Sequence, residues 1–346
     1  LKRFLWLLLR LGISSVLLWF LLRRISLAEL VEFFARTVGN WPWLLAALAL
    51  PVVGLLISSL RLQHLLRAQR LDASLGELSM LHLVSAFYNQ ILPSTIGADV
   101  YRTYWISRIR SIDNETATNT GRILVATTVI GVDRVLGAVG LVATALLATA
   151  FDPSVVRASA GLQAILPLIT IGAALVMLLP FIPSRKAGRW LFSIPLLNRV
   201  RDKAATVFGA LKAYRRSLGS LLAALALSIA LQLTIIGQFW LLSNALQLDV
   251  SFRGLAVLIP VVTMISMIPI TINGIGLREN ALRTLGVALG FTAASAIALG
   301  WAFVIIKTLW ALAGGLVQLR WNRLPAATGV GAASGVGAAS GRERKL

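Results

Sequence analysis

The chain has 346 residues, 58% of them hydrophobic and only 13% charged, which is too little polar surface to cover a soluble core and excludes an ordinary water-soluble protein. Cysteine is absent and histidine is limited to His64 and His82, so disulfide frameworks and thiolate metal sites are excluded and no metal centre is expected. The basic residues behind the net charge of +20 collect mainly between the apolar runs, on alternate loops, a pattern that orients a membrane protein and does not point to nucleic acid.

The first apolar run, residues 4–22, follows Lys2 and Arg3. It ends in Leu21-Leu22-Arg23-Arg24 without a small-residue cleavage site, so it reads as a retained span and not a signal peptide. Residues 26–38 place Leu27, Leu30, Val31 and Phe34 at helical spacing, the pattern of an amphipathic helix lying at the interface. Trp41 and Trp43 mark a membrane boundary, and residues 43–60 return across. Residues 78–92 and 97–109 are each too short to cross, and Pro93 and Gly97 interrupt the chain between them. Spans follow at 120–150, 161–182 and 218–243. The short segments 255–268 and 275–290 flank Pro269, Asn273, Gly274 and Gly276, and a last span covers 294–319. The expected fold is therefore an all-α polytopic membrane protein with six spans and two re-entrant helical hairpins.

Residues 1–325 form one transmembrane domain, with halves at about 1–155 and 156–325. Residues 326–346 contain two copies of the string GVGAAS and a basic end, and are expected to be a disordered tail. On this topology one side receives Arg61, Arg67, Arg70, Arg108, Arg110, the nine basic residues of 185–216 and the tail. The other side receives Arg23, Arg24, Arg36, Arg157 and Arg253, so both termini are expected in the cytoplasm.

The two breaks resemble one another: Pro93-Ser94-Thr95-Ile96-Gly97 matches Pro269-Ile270-Thr271-Ile272 with Gly274 close behind, and the prolines stand 176 residues apart. Three crossings per half make the second half inverted relative to the first, with the hairpin tips meeting near the midplane. Charged groups cluster beside both breaks. Asp99 and Arg102 follow the first, Arg278 and Glu279 the second, while Asp133-Arg134 and Lys307 fall mid-span in equivalent places. Ionisable groups at that depth are costly and point to function. Helices starting at Gly97 and Gly276 would offer backbone N–H groups to an anion, with Asn89, Asn273 and Gly274 nearby. The four cations outnumber Asp99, Asp133 and Glu279 by one, and arginine suits phosphate. Structural ion pairing, for instance Asp99 with Arg134, is the competing reading.

Asn89-x-x-Leu92-Pro93-x-x-x-Gly97-x-Asp99-x-x-Arg102, Asp133-Arg134-x-x-Gly137 and Pro269-x-x-x-Asn273-Gly274-x-Gly276-x-Arg278-Glu279 together resemble the flippase-like membrane family that includes the transmembrane part of bacterial lysyl-phosphatidylglycerol synthases. The family more often has Gly-Gly where this chain has Gly97-Ala98. The resemblance implies a bacterial inner-membrane protein that moves an anionic phospholipid or polyprenyl-phosphate-linked lipid between leaflets. The synthases' soluble aminoacyl-transferring domain is expected to be absent, and the protein is not expected to be an enzyme. On this reading Asn89, Gly97, Arg102, Arg134, Asn273, Gly274, Gly276, Arg278 and Lys307 bind substrate. Asp99, Asp133 and Glu279 couple or pair, Pro93 and Pro269 break the hairpins, and no cofactor is needed. Partners are membrane lipids with anionic headgroups, with a homo-oligomer left open. A secondary transporter of a small soluble anion would use the same features, and a lipid-modifying membrane enzyme is the weaker alternative. No Walker-type phosphate loop occurs, so direct ATP drive has no support.

Overall fold

The computed structural model describes residues 39–91, 96–109, 119–178, 217–268 and 274–320, with isolated positions at 31, 32, 35, 214 and 271. The expected first span, both proline breaks with Asn273, the basic segment 185–216 apart from Tyr214, and the tail lie outside the described residues, as does most of the interfacial helix. Every extended element among the described residues is a helix. Four of them, Trp41–Ala68, Thr120–Phe151, Leu218–Ala245 and Ala293–Arg320, are long and apolar enough to cross a bilayer, so this is a polytopic membrane protein.

In chain order the helices are α1 (Trp41–Ala68), α2 (Leu75–Ile91), α3 (Ile96–Ile106), α4 (Asn119–Phe151), α5 (Ser154–Arg157), α6 (Ala160–Leu178), α7 (Leu218–Ala245), α8 (Phe252–Ser266), α9 (Leu277–Leu285) and α10 (Ala293–Arg320). Local sequence explains several starts. Ser74 and Glu77 cap α2 reciprocally, each side chain accepting from the other's backbone N–H at 3.2 and 2.9 Å. Ser251 Oγ accepts from the Gly254 N–H at the start of α8. The segment expected as 275–290 is two pieces: α9 stops at Leu285, and a single 3-10 turn, Val287–Leu289, closes on Gly290 in the left-handed region. Helix α1 runs past the expected end at residue 60, because Arg61 continues the helix inside the protein instead of ending it in solvent.

Helix α1 packs most extensively on α7. Pro51 has no N–H to give to the carbonyl of Ala47, and Gln238 of α7 donates its Nε2–H to that oxygen at 3.2 Å. Trp310 of α10 likewise donates to the Leu48 carbonyl at 2.9 Å. The short helices pair as α2 with α3 and α8 with α9, and the first helix of each pair lies against a long span, α2 on α10 and α8 on α4. The approach of α10 to α2 depends on glycine. A Cβ on Gly314 would stand 2.1 Å from the Leu83 carbonyl oxygen, and one on Gly315 would meet the Phe87 ring at 2.6 Å. One apolar cluster joins α7, α8, α9 and α10 with α5, α6, Ala47 of α1 and Ala145 of α4, and a second joins α1, α2, α3 and α4 with Ala224 of α7. Leu147, Leu222, Leu233, Leu309 and Leu316 remain exposed on the long spans, as lipid-facing positions should.

Candidate functional site

The charged residues expected from sequence gather in two groups, one at each pair of short helices. At α2–α3, two neighbours on α4 act in different directions. Asp133 is 2% exposed and lies in the fork of Arg61, receiving Nε–H at 2.8 Å and Nη2–H at 3.0 Å. The remaining Arg61 nitrogen donates to Ser228 Oγ of α7 at 3.1 Å, and Gly137, one turn beyond Asp133, leaves room for it. Arg134 turns instead to Asp99 on α3, with Nε to Oδ2 at 3.0 Å and Nη2 to Oδ1 at 2.7 Å. That pair is far more open, the side chains being 43% and 27% exposed.

Arg102 follows Asp99 by one turn of α3. Its Nε is enclosed and has no hydrogen-bond partner among the described residues, while Asp133, Arg134, Asp99 and Arg61 are its electrostatic neighbours. His82 of α2 joins the same group. Its Nε2 is enclosed without a partner among the described residues, and Arg102, Arg61 and Arg134 are in electrostatic range. Three arginines therefore face two aspartates here, and both aspartates are already held in arginine forks. Gly97 lies in the first turn of α3, beside this group. Asn89 Oδ1 is enclosed on α2 without a partner among the described residues, and its neighbour Gln90 donates to Thr308 of α10 at 2.9 Å.

The second group surrounds the start of α9. Gly274 and Gly276 carry φ of 75° and 81°, conformations that glycine adopts without strain. The N–H of Gly276, expected to be open to an anion, is donated to Glu279 Oε2 at 2.6 Å. The reason is local: Gly276-x-x-Glu279 is a capping arrangement, so the protein's own carboxylate occupies that end of the helix. Arg278 is nearly buried, with its guanidinium carbon 5.2 Å from the centre of the Phe303 ring. Lys307, one turn beyond Phe303, lies in electrostatic range of Arg278. Lys307 is also next to Thr308, so α10 connects the second group to the first.

Two members of the first group do not appear among the residues singled out from sequence. Arg61 reads there as a loop residue at the cytoplasmic surface, and the structure corrects this to a buried partner of Asp133. Its depth was measurable: it stands 18 residues after Trp43. That spacing spans about 27 Å of helix, still within a hydrocarbon core of about 30 Å. His82 reads only as an unlikely metal ligand, because its neighbours come from α1, α3 and α4 and no spacing in α2 reveals them. Among the described residues no group of His, Asp and Glu is placed to hold a metal ion.

The model of a family described as the lysylphosphatidylglycerol synthase TM region matches residues 7–315. No curated protein and no solved structure matches the chain.

Proposed function

The chain belongs to the lysylphosphatidylglycerol synthase transmembrane-region family, and from that premise we propose that it transports an anionic lipid between the leaflets of the bacterial inner membrane. In this reading residues 1–325 are one transmembrane domain of six spans and two re-entrant hairpins, inverted about a central axis, with both termini cytoplasmic and no catalytic chemistry. The reciprocal packing of α2 on α10 and α8 on α4 supports the repeat, because each hairpin then closes on the opposite half.

The observation that carries the function is the group around Arg102. A partly open Arg134, an enclosed Arg102 Nε without a partner among the described residues and two already committed carboxylates leave a positive charge over at mid-membrane. Arginine exposed to hydrocarbon is costly, so the open face of Arg134 belongs to a wet cavity and not to lipid tails. A phosphate headgroup entering that cavity would supply acceptors to Arg102 and Arg134 while its acyl chains stay in the bilayer.

The test is headgroup translocation in proteoliposomes, read with a fluorescent anionic phospholipid and an impermeant quencher. Arg102→Gln is expected to slow translocation about 10- to 100-fold, the weight of a charge-assisted hydrogen bond, with unfolding temperature preserved. Unchanged rate and unchanged preference for anionic over zwitterionic lipid would remove the site from the function.

A further inference from the structure

The three carboxylates at mid-membrane have different surroundings. Asp133 and Asp99 each accept two N–H bonds from one guanidinium, so both oxygens of each carboxylate are already engaged. Glu279 is wholly buried and accepts one bond, from the Gly276 N–H at 2.6 Å. Its Oε1 is enclosed without a hydrogen-bond partner among the described residues. That oxygen lies against Gly300 of α10, where a Cβ would approach it to 2.9 Å, so no side chain fits at that position.

The charges around Glu279 are few. Its own helix carries Arg278, which lies in electrostatic range of Glu279 and stacks on Phe303, and Arg283. Helix α10 contributes Lys307, which lies in range of Arg278, and Arg320 at its far end. Helix α8 contributes only Arg253 at its exposed start, and α6 has no ionisable residue. A buried carboxylate with one oxygen unpaired is poorly solvated, whereas the neutral acid needs less.

We propose that Glu279 is the proton-carrying group of the transport cycle. It takes one proton onto Oε1 from one side of the membrane and releases it to the other. One proton moving with one singly anionic headgroup transfers no net charge, and release regenerates the starting carboxylate. The flanking Gly274 and Gly276, both at positive φ, give the segment before α9 the freedom to turn between the two sides. The inference rests on the lipid-transport reading above, and the experiment separates the two.

Glu279→Gln keeps the oxygen that accepts from Gly276 and nearly the same volume, but it cannot bind a proton. In proteoliposomes with an imposed pH gradient, the native protein is expected to move an anionic fluorescent lipid faster with the gradient than without it. In Glu279→Gln the ratio of the two rates is expected to fall to one, whatever the absolute rate. A ratio that stays at the native value overturns the proposal. Lipid transport by the native protein with no gradient response overturns this inference alone, whereas no lipid transport at all removes the reading beneath it. If Glu279→Gln does not fold, the native protein treated with dicyclohexylcarbodiimide, which modifies protonated carboxylic acids in apolar surroundings, gives the answer by peptide mass spectrometry. Modification at Glu279 is expected; no labelling at Glu279 sinks the proposal.

Discussion

Asp133 and Arg134 are neighbours on α4, about 100° apart around the helix, and their ion pairs are opposites in everything but geometry. Both pairs are two-bond arginine–carboxylate forks. The Asp133 pair is closed, carries a third bond to Ser228 and ties α1, α4 and α7 together. The Arg134 pair is open and ties α4 only to the short helix α3. A buried pair resists the loss of either partner, because the other is left as an unpaired charge; an open pair is weak and can exchange its partner for a ligand. Burial therefore separates scaffold from site where residue type and hydrogen-bond geometry do not.

The largest expected effect comes from breaking the closed pair. Asp133→Asn leaves Arg61 charged in the interior and is expected to cost about 3–5 kcal/mol, seen as a large drop in unfolding temperature in detergent and in membrane yield. Arg61→Met combined with Asp133→Leu removes both charges, and much of that loss should return. If Asp133→Asn instead remains as stable as the native protein and loses only lipid transport, Asp133 belongs with Arg134 and the contrast fails.

A middle-sized effect should come from moving the hairpin without touching a charge. Gly314→Val drives a side chain into the backbone at Leu83 and should cost about 1–3 kcal/mol by overpacking. Transport should fall with it, since α2 carries His82 and Asn89 and holds α3 in place. A stable, fully active Gly314→Val would mean that the α2–α10 contact does not position the open pair.

The long helices were legible because runs of about 20 apolar residues have one physical meaning in water. The short ones were legible because Pro93, Gly97, Pro269 and Gly274 interrupt them. Expected and observed boundaries differ most at Arg61, where a charge ends the apolar run but Asp133, 72 residues away, neutralises it. No local pattern carries that partner. The capping of α9 was visible as Gly276-x-x-Glu279, yet those same residues also suit an anion site, and only the position of the Glu279 carboxylate decides which use the Gly276 N–H serves. Gly314 and Gly315 went unread for a similar reason: a glycine in an apolar helix marks a close approach, but not to what.

The smallest expected effect sharpens the comparison most. Asp99→Asn removes the carboxylate that holds Arg134, and since that pair is open and screened, stability should change by less than about 1 kcal/mol. What should change is binding. Asp99 occupies the arginine that a phosphate headgroup would use, so its neutralisation should tighten retention of anionic lipid by a few-fold, as native mass spectrometry or lipid competition would report. Arg134→Gln should weaken the same retention, and adding Asp99→Asn to it should then bring no further gain, because the two side chains act through one contact. The opposite pattern, with Asp99→Asn unfolding the protein as Asp133→Asn does and leaving lipid retention untouched, would make the open pair a second scaffold. The positive charge available to a headgroup would then reduce to Arg102 in this half of the molecule.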